Sequence, residues 1–171
     1  MPETNLTRVM RGAEHMIGQI SIENGYRSRG VVCIRGGDPT KFQGDKQDAF
    51  RKLCRGVGLF PGGETETDMV VGGRRRYKRQ YKVFGLVQLT DDERQADRTL
   101  DEVLSDLQED LKDALDPDIK IKNAVAALAL PEVSCIDHHV TGIVGDDAMN
   151  FPFARFVAVV EFLYDRPIRM S

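Results

Sequence analysis

Between residues 100 and 115 the apolar side chains fall at Leu100, Val103, Leu104, Leu107, Leu111, Ala114 and Leu115. Steps of three and four place all seven on one side of an α-helix, with charged residues filling the other side. Pro117 ends the pattern, because proline has no amide hydrogen to give and its ring collides with the preceding turn. A helix this short is marginal alone in water and draws its stability from burying that stripe. The rest of the chain must therefore supply an apolar surface to receive it.

A second amphipathic helix is expected at the N-terminus, where Leu6, Val9, Met10, Ala13, Met16, Ile17 and Ile20 recur at helical spacing. Thr4 or Asn5 can cap its start, and Asn24-Gly25 marks its expected end. Strands are expected elsewhere. Gly30 to Ile34 is a β-branched apolar run followed by the turn-rich Gly36-Gly37-Asp38-Pro39, and a short helix near Asp48 to Leu53 precedes a strand at Val57 to Phe60. Pro61-Gly62-Gly63 reads as a breaker, and Glu64 to Gly73 as a polar stretch bounded by glycine. Arg74 to Leu89 then alternates, with Arg75, Tyr77, Arg79, Tyr81, Val83 and Val87 on one phase. It is longer than an ordinary strand, so its basic first half is expected to project beyond the sheet, with Val83 to Leu89 inside. After the leucine helix come a small apolar element at Ile119 to Leu130 and two long strands, Glu132 to Val144 and Phe153 to Tyr164. Gly145-Asp146-Asp147 and a loop through Asn150-Phe151-Pro152 join the pair. This order predicts an α/β (α+β) fold, a mostly antiparallel sheet with helices packed on one face. With 171 residues and no repeat or linker, residues 1–171 are expected to form a single domain.

The longest uncharged apolar stretch, Asn123 to Pro131, is too short to span a bilayer, and the N-terminus lacks the apolar core of a signal peptide. A cytosolic protein without membrane contact is expected. Cys33, Cys54 and Cys135 are an odd number, with no CxxC spacing, and are expected to be buried reduced thiols. A net charge of −3 gives no general attraction to nucleic acid.

Candidate chemistry is sparse. Asp137-His138-His139 combines carboxylate and imidazole, the ligands zinc prefers. On a strand, however, neighbouring side chains point to opposite faces, so His138 and His139 cannot share one ion without a bulge. No HExxH or cysteine pair supports them, and His15 lies alone within the first helix. Gly36-Gly37, Gly62-Gly63 and Gly72-Gly73 match neither GxxxxGK[ST] nor GxGxxG and read as turns. Cys54, between Lys52 and Arg55, comes nearest to an activated thiol, but a structural role is expected. Carboxylates along the leucine helix read as a solvated face. No catalytic, cofactor-binding or metal-binding residue is nominated.

Charge segregation is the feature that remains. Arg74, Arg75, Arg76, Lys78, Arg79 and Lys82 cluster without an acid, whereas residues 91 to 118 hold twelve acidic residues against Arg94, Arg98 and Lys112. Interleaved Arg and Tyr can bind nucleic acid, patches of opposite sign can attract neighbouring copies, and both can simply be solvated.

Element order carries a resemblance. The N-terminal amphipathic helix, the strand near Gly-Val-Gly-Leu-Phe-Pro-Gly-Gly-Glu (56–64), the long strand opening Gly-Gly-Arg-Arg-Arg-Tyr-Lys-Arg (72–79), the leucine-striped helix 97–115 and the hairpin ending Phe-Val-Ala-Val-Val-Glu-Phe-Leu-Tyr (156–164) together resemble tail terminator proteins of long-tailed bacteriophages. The resemblance covers most of the chain, and residues 36–50 look longer than the family's usual loops. It implies a structural virion protein with no enzymatic activity and no cofactor. Such a subunit forms a homohexameric ring that caps the tail tube and joins the tail to the head. Its implied partners are its own copies, the tail tube protein and the head-completion or neck proteins, with the sheath as an optional further contact. Genomic DNA passes through the channel without sequence-specific binding. The implied location is the tail-neck junction of the virion, and the host cytoplasm during assembly. Arg74, Arg75, Arg76, Tyr77, Lys78, Arg79 and Tyr81 are the subunit-interface candidates. Another neck or tail-completion ring protein, or a metal-dependent enzyme around Asp137 and His139, are the alternatives.

Overall fold

A computed structural model describes residues 5–36, 42–115, 135–145 and 153–167. Along the chain run α1 (Asn5–Gly18), β1 (Val32–Arg35), α2 (Asp45–Leu53), β2 (Arg55–Val71), β3 (Arg74–Gln88), α3 (Asp91–Gln95), α4 (Leu100–Ala114), β4 (Cys135–Gly145) and β5 (Phe153–Pro167). The strands form one sheet in the order β1-β2-β3-β5-β4, in which only β1 and β2 run parallel. The fold is α+β, with a mostly antiparallel sheet and helices packed against it, as the element order predicts.

The leucine stripe lands where it should. Thr99 caps α4 by accepting a hydrogen bond from the Glu102 amide at 3.2 Å, and Asp101 and Glu102 in the first turn oppose the positive end of the helix dipole. Val103, Leu104, Leu107 and Leu111 are buried in one cluster with Val83 of β3 and Phe156 of β5. Leu100 is half-buried at its edge. Burying each such side chain contributes about 1.5–3 kcal/mol. Met10, Ala13 and Ile17 of α1 complete the same cluster. Val157, the neighbour of Phe156, is on the opposite strand phase and outside this core.

Both faces of the sheet are covered in part. Val32, Phe42, Phe50 and Leu86 form a smaller cluster on the far face, where α2 closes the corner over β1 and β2. The two longer helices thus share one face, and the short α2 takes the other.

Three boundaries differ from the sequence expectation. Helix α1 ends at Gly18 rather than near Asn24-Gly25, because a tight turn intervenes and Ser21 caps a separate 3-10 turn over Ile22–Asn24. That arrangement buries Ile20 and leaves Ile22 exposed. Residues 64–71 continue β2 instead of forming a loop. Finally, the basic half of β3 does not project from the sheet. It is paired along its whole length, Arg74 with Val71 and Pro167, Tyr77 with Glu66 and Tyr164. Gly72 and Gly73 carry φ of 57° and 72°, the two-residue turn that lets β2 and β3 twist together without splaying. The element expected at Ile119 to Leu130, the turn at Asp146-Asp147, the loop at Asn150 to Pro152 and part of the 36–50 segment lie outside the described residues. Beyond Leu59, where β1 stops, β2 is bordered on one side only among the described residues.

Candidate functional site

Alternation along β3 decides what its tyrosines can do. Tyr81 shares the phase of Val83 and Val87, which faces α1 and α4, and its side chain is fully buried in the main core. Tyr81 is therefore not available to a neighbouring subunit, a correction to its place among the interface candidates. Tyr77 is half-buried and leans on the same core, and Arg75 is half-buried two residues further out. Arg74, Arg76, Lys78 and Arg79 stand opposite Pro167, Asp165, Leu163 and Phe162 of β5, and their side chains lie outside the described part of the structure. β3 is thus a basic strand paired between β2 and β5.

The acidic counterpart is less bare than its sequence suggests. Residues 91–115 carry ten acids and three bases, a formal balance of −7. Three arginines from elsewhere enter it: Arg27 contacts Asp110 and Asp113, both at 3.1 Å, Arg29 contacts Asp92 at 3.0 Å, and Arg55 contacts Glu93 at 2.6 Å. They bring −7 to −4. Within the segment Arg98 bridges Glu102 at 3.4 Å and Asp106 at 2.8 Å.

Two members of this network are internal. Asp110 lies on the core side of α4, fully buried, three residues after Leu107. Its Oδ1 accepts from the Arg27 amide at 3.0 Å and the Arg27 guanidinium at 3.1 Å, and its Oδ2 from the Ser28 amide at 2.8 Å. A buried carboxylate satisfied in this way fixes the segment before β1 against α4. The second is Arg55, also buried, which donates to the carbonyls of Cys54 and Gln88 at 3.1 and 2.8 Å and to Glu93. Glu93 closes a capping box with Thr90, so one carboxylate ties the start of α3 to the start of β2. Desolvation pushes the Glu93 carboxyl up, but the hydrogen bonds from Arg55 and Thr90 outweigh it, and the net pKa lies below the usual carboxylate value.

An open cleft of about 470 Å³ lies beside that pair, lined by Arg29, Lys52, Cys54, Leu89, Asp91 and Arg94 among others. Arg29 and Arg94 are matched by Asp92 and Asp91, the second at 3.4 Å. Cys54 contributes no activated nucleophile, because burial raises its thiol pKa despite Arg55 beside it. Burial likewise pushes the Cys33 thiol up to about 12. Both are free thiols.

Asp137, His138 and His139 follow one another along β4, opposite Leu163, Phe162 and Glu161, and their side chains lie outside the described part. Among the described residues, no group of three or more His, Cys, Asp or Glu is arranged to hold a metal ion, and no helix is long and apolar enough to cross a membrane. Sequence reading missed Asp110 and the Arg55–Glu93 pair. Both left a signal: Asp110 continues the apolar steps Val103, Leu107, Ala114, and Thr90-x-x-Glu93 is a capping-box spacing. No protein-family model and no curated protein matches the chain.

Proposed function

We propose that this chain is a structural subunit of the tail-terminator type, whose copies close head-to-tail into a ring that caps a phage tail tube and joins it to the head. The observation that carries this is the separation of charge between β3 and the α3–α4 layer. Six cations lie along β3, with Glu64 of β2 opposite Arg79 and Asp165 of β5 opposite Arg76, so the strand stays cationic by register, while the α3–α4 layer keeps a formal −4 after its internal pairing. A head-to-tail contact needs two different complementary patches on one chain, and these are of opposite sign. Exposed ion pairs are worth about 0–1 kcal/mol each, so charge sets approach and register while apolar contact supplies the holding energy. The tail tube protein and the head-completion proteins are the partners of the two ring surfaces, and the role requires no cofactor or catalysis.

Charge reversal tests this reading. Arg75, Arg76 and Arg79 changed together to Glu should leave the fold intact by circular dichroism and abolish capping of tail tubes, scored as tube length by electron microscopy. Normal tube length with the reversed protein would remove β3 from the assembly surface.

A further inference from the structure

Adjacent residues of a strand belong to opposite faces, so Asp137-His138-His139 makes no metal site within β4 alone. Pairing with β5 changes which residues are neighbours. Asp137 stands opposite Leu163, His138 opposite Phe162 and His139 opposite Glu161. β5 pairs with β3 without a register shift from Phe153 to Pro167, so its alternation carries through. Phe156 and Ala158 are buried on the side of α1 and α4, and Val157, Val159 and Glu161 share the other face. Asp137 and His139 therefore lie on that second face with Glu161, while His138 belongs to the phase of Phe162.

Two irregularities enclose the group. The β4–β5 ladder shifts between Cys135 and Asp137 and again between Val140 and Gly142, and it is regular from Asp137 to Val140. Without the first shift, Asp137 and His139 would share the phase of Cys135, which stands opposite Tyr164 on the helix side, and neither would lie with Glu161. Bulges recur beside functional sites, where they bring residues to a different face.

Directly opposed positions of an antiparallel pair lie about 4.5–5.5 Å apart, diagonal ones about 7–8 Å, and positions two apart on one strand about 7 Å. His139 is thus opposed to Glu161, Asp137 is diagonal to it, and the three positions form a triangle of a size that one ion can bridge. Imidazole with two carboxylates is a ligand set for a borderline divalent ion such as zinc, which binds these donors at about 2.0–2.2 Å. On the β3 side Glu161 stands opposite Gln80, and Lys78 and Lys82 are only diagonal to it.

We propose that Asp137, His139 and Glu161 hold one divalent transition-metal ion of the zinc class across β4 and β5. Three protein ligands leave a fourth position for water. The ion ties β4, which has only β5 beside it among the described residues, to the rest of the sheet, and its binding free energy adds to folding stability. This site is independent of the ring reading and stands or falls by itself.

Isothermal titration of the full chain, stripped with EDTA, tests it with zinc chloride and with magnesium chloride. The wild type should take up one zinc ion per chain and bind magnesium far more weakly. His139→Ala and Glu161→Gln should each weaken zinc binding by about 10–100-fold or more, since loss of even an outer partner of a metal site costs that much. His138→Ala should bind zinc as the wild type does, because position 138 is on the opposite face. Glu161→Gln preserves side-chain size and stays informative if His139→Ala fails to fold. Absence of stoichiometric zinc binding, magnesium bound as tightly as zinc, equal losses in His138→Ala and His139→Ala, or unchanged binding in Glu161→Gln overturns the proposal.

Discussion

The ring of Phe156 occupies the space where a side chain on Gly85 would begin. The two are direct partners across β3 and β5, and a Cβ built on Gly85 would lie 2.0 Å from Phe156 Cε1. The glycine weakens the strand locally, and the aromatic ring laid over it restores the buried surface. Gly85→Ala should cost about 1–3 kcal/mol by overpacking, and Phe156→Ala about 3–5 kcal/mol by opening a cavity. Urea unfolding would measure both. The double variant should be less destabilised than the two losses added together, since the smaller side chain at 156 makes room for the methyl group at 85.

Leu107 is fully buried at the middle of the α4 stripe, so Leu107→Ala should remove about 2–5 kcal/mol. Unchanged thermal unfolding would mean that α4 does not lie on the sheet as described.

Asp110 and Asp113 both bind Arg27, but their replacement should differ sharply. Asp110→Ala strands the buried amide hydrogen of Ser28 and the half-buried one of Arg27 and should cost about 3–5 kcal/mol. Asp113→Ala removes the Arg27 contact at an exposed carboxylate and should cost about 0–1 kcal/mol. Paired chemical denaturation curves would separate the two, and equal losses would mean that Asp110 does not fix the segment before β1 against α4.

Glu93 links stability to pH. Its folded pKa is lowered, so the unfolded chain binds the proton more readily, and the contribution is present above the unfolded value of about 4.3. It is lost as pH falls through the lower folded value. Thermal midpoints taken downward from neutral pH should fall more steeply for the wild type than for Glu93→Gln, with the difference confined to the acid side.

Cys33 and Cys54 should resist alkylation by iodoacetamide at pH 8 until denaturant is added. Both are buried, and desolvation keeps both thiols protonated. Rapid labelling of either in the native protein, read by mass spectrometry, would contradict their place in the fold.

Much of this architecture is legible in the chain because periodicity is local. Leu100 to Leu115 and Phe153 to Tyr164 announce their element types within a few residues, and the closing β4–β5 pair appears where alternation and turn residues place it. What is not legible depends on partners distant in sequence. The stretch Glu64 to Val71 looks like a loop because its polarity hides a strand held by pairing to β3, beyond the apolar first half of the same ladder. Tyr81 looks free within a basic run, and only the helices laid over its phase bury it. Asp110 looks like one more solvated acid, since the amides it satisfies come from residues 27 and 28.

Among the described residues, β2 beyond Leu59 has a neighbour on one side only, and this bears on what such a protein must avoid. An open strand edge invites another strand, and each addition exposes a fresh edge, so growth through the backbone has no natural end. This stretch holds Pro61, register shifts at Pro61/Glu64 and Glu66/Val70, and the acids Glu64, Glu66 and Asp68. Proline removes a donor, irregular register breaks the template, and like charges repel a copy of the same strand. Fibre-like stacking is thereby discouraged, and any gathering of copies is left to side-chain surfaces, whose fixed geometry allows a closed and countable assembly.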